Sequence, residues 1–367
     1  MLIKYRIVKK QKSFTITCHR PLNYGAVLQT YALNTKLREL GLDARVIDYN
    51  PPYYTKSNRS LFIRIIREVF RLPDWIYGKW RFGKFISKHI PLSEDQYKNL
   101  NDLKRKVPKA DYYFAGSDQI WNCEELLNGK DDSFFLTFAP KESKKISYAA
   151  SLAMPKVPYN QVDRYRELIN DFDAVSIREK DGLKVLKDLG IKNVINVLDP
   201  VFLLDNDGWN YIVSQSNFTP KEKYILVYGF KRQKNLYEYA RKLGQKLNVK
   251  VYAINTNIED YFLDIDKYFW NASPEAFVKL IKNSEAVVTN SFHGLSFSII
   301  FNKPFHLFSR KGKANSRMLN LLSDLNLSDR VINSEELVSN EVNFSEANEF
   351  ISSRRNFSIE FIKNNIN

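Results

Sequence analysis

Cysteine is nearly absent from this 367-residue chain: only Cys18 and Cys123 occur, with no CxxC and no Cys/His pairing at zinc-ligand spacing. A disulfide framework and a structural zinc fall away, no metal is expected, and a reducing cytoplasm is the default setting. Glycine and proline are equally sparse, 13 of each, so neither a fibrous repeat nor a disordered low-complexity chain fits. No stretch stays apolar for the length of a bilayer span. The start, MLIKYRIVKKQKSFTITC, carries charges where a signal peptide would be continuously apolar. The expectation is a protein neither exported by that route nor integral to a membrane. Familiar motifs are missing too: GxGxxG opening a β-α-β unit, GxxxxGK[ST], HExxH and GxSxG. Nicotinamide enzymes, P-loop NTPases, zincins and ordinary esterases lose weight, and no cofactor is expected.

What is present is globular: 44% hydrophobic and 26% charged residues, on a chain longer than one hydrophobic core usually serves, which predicts two domains. Lys and Arg number 56 against 41 Asp and Glu, a net charge of +15 that favours anionic partners. Nucleic acid ranks last among them, because the basic residues are dispersed and no reader motif occurs.

Strands and helices alternate along the chain. A strand at Phe14–Cys18, a helix from about Tyr24 to Leu40, capped by Asn23 and stopped by Gly41, and a strand at Ala44–Tyr49 form β-α-β. Further strands are predicted at Tyr112–Ala115, Ile146–Ala149, Ala174–Ile177 and Val194–Leu198, with helices at Val162–Phe172 and Lys180–Leu189. After Asp205-Asn206-Asp207-Gly208 the grammar restarts: Tyr224–Tyr228, Lys234–Leu247, Lys250–Ile254, Pro274–Asn283 and Ala286–Thr289. The expected organisation is an α/β domain over 1–205, a second over 206–340, and a terminal helix over 341–367 packing back on the first. Two doubly wound domains in tandem place a ligand cleft between them.

Four strand-to-helix segments carry candidate chemistry. Val287–Thr289 runs into Asn290-Ser291-Phe292-His293-Gly294, a helix N-terminus suited to an anion with His293 beside it. Arg178 follows a strand directly and offers a planar fork to carboxylate or phosphate. Gly116-Ser117-Asp118-Gln119-Ile120-Trp121-Asn122 combines an acid, amides and an indole as a sugar site does. His19–Gln29 supplies another helix N-terminus. Each has a bland alternative: a capped turn, a local ion pair, or a core tryptophan. Arg59–Ile90 (the basic aromatic insertion, about 55–95) is predicted to hold an amphipathic helix. Arg64, Arg67 and Arg71 lie off its apolar stripe, as on an anionic membrane surface; most such helices instead pack their stripe on a core.

Taken together, NYGAVLQTYAL, GSDQIWN, SYAAS, SIREKDG, VLDPVFLL, TNSFHGLSFSIIFNKPF and SRMLNLLSDLNLSDR resemble the polysaccharide pyruvyl transferase family from about residue 15 to 330. The resemblance implies two Rossmann-like domains facing each other across a cleft in a GT-B-like arrangement. It also implies transfer of a pyruvyl group from phosphoenolpyruvate to a sugar, the expected carriers being lipid-linked oligosaccharides at the cytoplasmic membrane face. By motif match the donor set is Arg178, Ser291, Phe292, His293, Gly294 and Arg317. The acceptor set is Asn23, Tyr24, Gln29, Asp118, Gln119, Trp121 and Asn122. His293, Arg178 and Asp118 are the catalytic candidates. Two competing readings are a nucleotide-sugar glycosyltransferase on the same architecture and a non-catalytic carbohydrate-binding protein.

Overall fold

The computed structural model describes residues 10–54, 76–124, 127–230, 233–255, 265–310, 316–334 and 336–366. The first sheet is built from β1 (Lys12–Ile16), β2 (Asp43–Tyr49), β3 (Leu92–Tyr97), β4 (Tyr112–Ala115), β5 (Lys144–Ala150), β6 (Ala174–Ile177) and β7 (Val194–Asn196). They lie in the order β3-β2-β1-β4-β5-β6-β7, and every pair is parallel. The second sheet comprises β8 (Tyr224–Tyr228), β9 (Lys250–Asn255), β10 (Lys267–Trp270), β11 (Ala286–Thr289), β12 (Phe305–Phe308) and β13 (Val331–Ile332). Its order is β10-β9-β8-β11-β12-β13, again parallel throughout.

Parallel strands need crossover helices, and the apolar runs between turns supply them. The helices are α1 (Tyr24–Glu39), α2 over 76–89, α3 (Leu100–Arg105), α4 (Val162–Asn170), α5 (Lys180–Asp188), α6 (Asn206–Ser214), α7 (Lys234–Leu247), α8 (Pro274–Lys282), α9 (Phe292–Ile300), α10 (Ser316–Asp324) and α11 (Ser345–Ile366). Asn23 caps α1 by accepting from the N–H groups of Gly25 and Ala26, and Gly41 follows its end at φ 98°. Ser273 caps α8, with Pro274 in its first turn.

Strand order reverses at β1/β4 in the first sheet and at β8/β11 in the second. At such switch points neighbouring connections leave in opposite directions and open a crevice at the carboxyl ends of the strands. The loops after β1, β4 and β11 are the His19–Asn23, Gly116–Asn122 and Asn290–Ser291 segments. An aromatic core joins the two sheets: Tyr24 stacks on Phe277 at 4.5 Å, its hydroxyl donates to Ala272 O, and it meets Tyr228 edge-on.

Of the stretch predicted as an insertion, about 55–95, the described residues begin at 76. Its final part is β3, an edge strand paired with β2. Helix α2 buries Phe82, Phe85, Ile86 and Ile90 against Tyr24, Tyr31 and Trp209. Arg81 donates to Trp270 O and Asn271 O, so α2 braces both halves of the molecule. The proposed stripe Leu61–Phe70 with Arg64, Arg67 and Arg71 lies outside the described residues. Helix α11 reaches back to the first sheet: Tyr112 donates to Ile366 O, and the Leu198 N–H donates to Ser358 Oγ.

Candidate active site

The α9 N-terminus is built by β11, whose buried AVVT run ends at Asn290. Ser291 then caps the helix through the Gly294 N–H. Asn290 ties this turn to the loop after β8 by accepting from the Phe230 N–H and donating to Phe230 O. The cap satisfies one orphan donor of the first turn and holds Phe292 and His293 at the end of the helix dipole.

His293 lies flat against the first turn of α1. A Cβ placed on Gly25 would fall 1.9 Å from His293 Nδ1, so only glycine fits there. Two helix N-termini, one from each sheet, therefore converge on one imidazole. His293 Nε2 has no hydrogen-bond partner and stands 3.8 Å from Asp199 Oδ2. Burial holds its pKa below the usual value; Asp199 and Asp118 pull it up, and Arg178 and Arg317 push it down.

Asp199 is the hub. Its Oδ1 caps the turn after β7 by accepting from Val201 N, and its Oδ2 accepts from Arg178 Nη1 at 2.7 Å. Arg178, at the carboxyl end of β6, also faces Asp118 Oδ1 at 3.6 Å through Nη2. Its Nε and Nη2 are buried without a hydrogen-bond partner. The carboxylates around it raise its pKa against the opposing effect of burial. The guanidinium lies 5.2 Å from the Phe292 ring and that of Arg317 lies 5.7 Å from the same ring. Burial and the neighbouring Arg178 lower the Arg317 pKa to about 10. Glu179 Oε1 accepts from the N–H groups of Leu152 and Ala153, while Oε2 is buried and unpartnered. Two guanidiniums, an imidazole and three carboxylates thus meet where the sheets face each other. Unsatisfied buried donors of this kind suit an anionic ligand.

The donor candidates Arg178, Ser291, Phe292, His293, Gly294 and Arg317 are gathered in this one place. The acceptor candidates are not. Trp121 is fully enclosed, stacked on Phe135 and donating to Phe134 O, so it presents no face to a sugar. Gln29 is fully buried, donates to Thr17 Oγ1 and accepts from the Ser117 N–H, tying α1 to the β4 loop. Tyr24 belongs to the aromatic core. Asn122 is buried and accepts from the Glu124 N–H. Asp118 (φ 72°), Gln119 and Asn23 remain partly exposed at the cleft. Sequence reasoning gave no role to Asp199 and saw in Glu179 only a structural ion-pair partner for Arg178. An acid directly before a proline at a strand end, and an acid directly after Arg178, were the available signals.

A family model for polysaccharide pyruvyl transferases matches residues 23–312. The chain belongs to the polysaccharide pyruvyl transferase family. No curated protein matches it in sequence. Among solved structures it is similar to UDP-GlcNAc 2-epimerase from Methanocaldococcus jannaschii, at 11% identity and TM-score 0.51, covering 96% of this chain and 93% of that one. It is also similar to S. aureus MnaA determined with UDP, at 13% identity and TM-score 0.52, covering 95% and 88%. At such identities the likeness concerns the fold alone, which in this chain is two parallel-sheet α/β domains in a GT-B-like arrangement.

Proposed function

We propose that this family member transfers the enolpyruvyl group of phosphoenolpyruvate to a sugar of a polysaccharide or lipid-linked oligosaccharide and closes it into a pyruvate ketal. The observation that carries the reading is the pair of buried guanidiniums, Arg178 with unfilled N–H groups, beside His293 at a helix N-terminus. A ligand with both a carboxylate and a phosphate needs that combination.

Burial holds the His293 pKa below its usual value and so favours the neutral imidazole. Donor anions arriving beside it favour the imidazolium, so the substrate recruits the proton it needs. His293 gives that proton to the methylene carbon, and the adjacent carbon becomes electrophilic. A sugar hydroxyl attacks that carbon while Asp118 takes the hydroxyl proton. The carbon–oxygen bond to phosphate then breaks, inorganic phosphate leaves with the proton that Asp118 took, and a second hydroxyl of the same sugar attacks the resulting oxocarbenium carbon and gives its proton to His293, which completes the ketal. In this division of labour the chain up to residue 205 supplies the acceptor side together with Arg178, and residues 206–340 supply His293 and Arg317. The reading includes a membrane-face acceptor, supported by the exposed Ile76, Tyr77 and Trp80 on α2 beside the exposed Lys79 and Lys84.

The test is phosphate release from phosphoenolpyruvate with extracted lipid-linked oligosaccharide, run in parallel with UDP-, GDP- and CMP-sugars. Turnover of a nucleotide sugar alone would replace this reading with the glycosyltransferase. His293→Gln is expected to keep the fold and donor binding and to lower turnover about a hundredfold, the scale of a positioned acid. Parental rates across pH in that variant would remove His293 from the mechanism.

A further inference from the structure

A cavity runs from Arg178 and Phe292 outward between α5, β7, α10 and α11, and its wall includes Lys180, Arg317, Asn320, Asp324 and Arg354. No residue of the α1 or β4 loops lines it, so it meets the cluster on a side separate from the face where α1 meets His293. A wider concavity among Glu222, Lys223, Arg241 and Lys250 lies at the amino ends of the second sheet, away from these groups.

The carboxylates of this cavity are engaged apart from Glu179 Oε2, which is buried and unpartnered. Asp199 holds Arg178, Asp324 pairs with Lys180, and Glu179 Oε1 accepts two backbone N–H groups. The guanidiniums are not saturated. Arg178 Nε and Nη2 have no hydrogen-bond partner, and Arg317 makes no hydrogen bond or ion pair among the described residues. Among the described residues Arg354 donates hydrogen bonds through Nη2 alone, to Asn196 O and Oδ1 at 2.6 and 3.1 Å, and its guanidinium lies 4.9 Å from the Phe357 ring. Asn196 in turn donates to Arg178 O through Nδ2, so one residue positions both arginines along the cavity. Three guanidiniums with N–H groups to spare around one small cavity fit a tetrahedral dianion, whose oxygens can each accept two or more such bonds.

We propose that this cavity is the subsite for the donor's phosphate group and the route by which inorganic phosphate leaves. Arg354 of the C-terminal helix binds the phosphate together with Arg178 and Arg317, and the Lys180–Asp324 pair closes the outer end. This rests on the phosphoenolpyruvate reading above, and it adds a donor ligand from an element that lies beyond the matched family segment. It also separates the two substrates: phosphate passes along α11, while the acceptor enters past α1.

Inorganic phosphate is the probe, because its binding needs no acceptor. Calorimetric titration of the full chain is expected to show Arg354→Gln and Asn320→Asp each weakening phosphate at least fivefold, and Arg178→Gln at least as much. Asn320→Asp breaks no described bond and places a carboxylate in the cavity, so it stays informative if Arg354→Gln loosens the tie to Asn196. Parental phosphate affinity in both Arg354→Gln and Asn320→Asp, with loss only in Arg178→Gln, overturns the subsite and leaves the donor reading standing. Equal binding of phosphate and of phosphoenolpyruvate by parent and Arg178→Gln overturns both.

Discussion

Gly25→Ala tests the meeting of the two helix N-termini with a single methyl group. The new Cβ would sit 1.9 Å from His293 Nδ1, where ordinary contacts begin near 3.4 Å, so the ring must retreat by about 1.5 Å or the helices must part by a similar distance. A misplacement of about 1 Å in a reacting group can cost about a hundredfold in rate, and that is the expected loss in kcat with donor saturating. Stability should move little. Alanine favours a helix over glycine by up to about 1 kcal/mol, while overpacking costs about 1–3 kcal/mol, leaving a net loss of about 2 kcal/mol or less. The assay pairs steady-state kinetics with thermal melts of Gly25→Ala, His293→Ala and the double variant. Removing the imidazole should restore the stability that the methyl costs, with a coupling of about 0.5–3 kcal/mol, and should not restore activity. Turnover of Gly25→Ala within twofold of the parent, or additive stabilities, would refute the claim that His293 packs on α1 at the reacting centre.

Arg178→Lys should weaken phosphoenolpyruvate by about 1.5–3 kcal/mol, because an ammonium keeps the charge without the fork; equal calorimetric affinity for both proteins would refute this. His306 is fully buried between Tyr239 and Asn340, and burial, with Arg330 nearby, lowers its pKa from 6.5 to about 4. The unfolded chain therefore binds the extra proton first. Its contribution is fully present above pH 6.5 and is lost as pH falls toward 4, by about 3 kcal/mol at about 1.4 kcal/mol per pH unit. Denaturation midpoints measured across that window should fall, and His306→Gln should flatten the slope; an unchanged slope would refute the assignment. Sedimentation with anionic vesicles at low salt should capture the protein, weakened by Trp80→Ala with Tyr77→Ala or by changing Arg64, Arg67 and Arg71 to Gln; absence of binding would dismiss the membrane contact.

The two sheets were readable because their central strands are short apolar runs closed by turn residues, as in Tyr112–Ala115 before Gly116 and Tyr224–Tyr228 before Gly229. The edge strands β3, β10 and β13 were not. LSEDQY pairs on one side only and needs no apolar continuity, so β3 read as part of an insertion. Strand β12 hid behind the helix-stop signals of Asn302 and Pro304, too short to assert a period. Within the site, the residues that face the cleft from a helix N-terminus were legible, because the turn grammar itself aims them. The direction of Trp121 was not: a residue three positions past a left-handed Asp118 can turn inward or outward, and only packing against Phe135 and Phe172 decides it. Asp199 escaped because its role depends on Arg178, 21 residues earlier, and on His293 in the other sheet.

The return of α11 gives the molecule a spine. The chain passes from the first sheet to the second just beyond Pro200–Leu203, and comes back through α11, where Arg355 Nε donates to Phe202 O on that same turn. The start of α11 packs with Phe305 of the second sheet, through Phe344, and its end packs with the first, through Phe361 on Tyr148. Two chain crossings seated on one short segment knot the two sheets together at a single place, and that place begins at Asp199, so the covalent seam of the molecule and the hub of its charged cluster are the same turn.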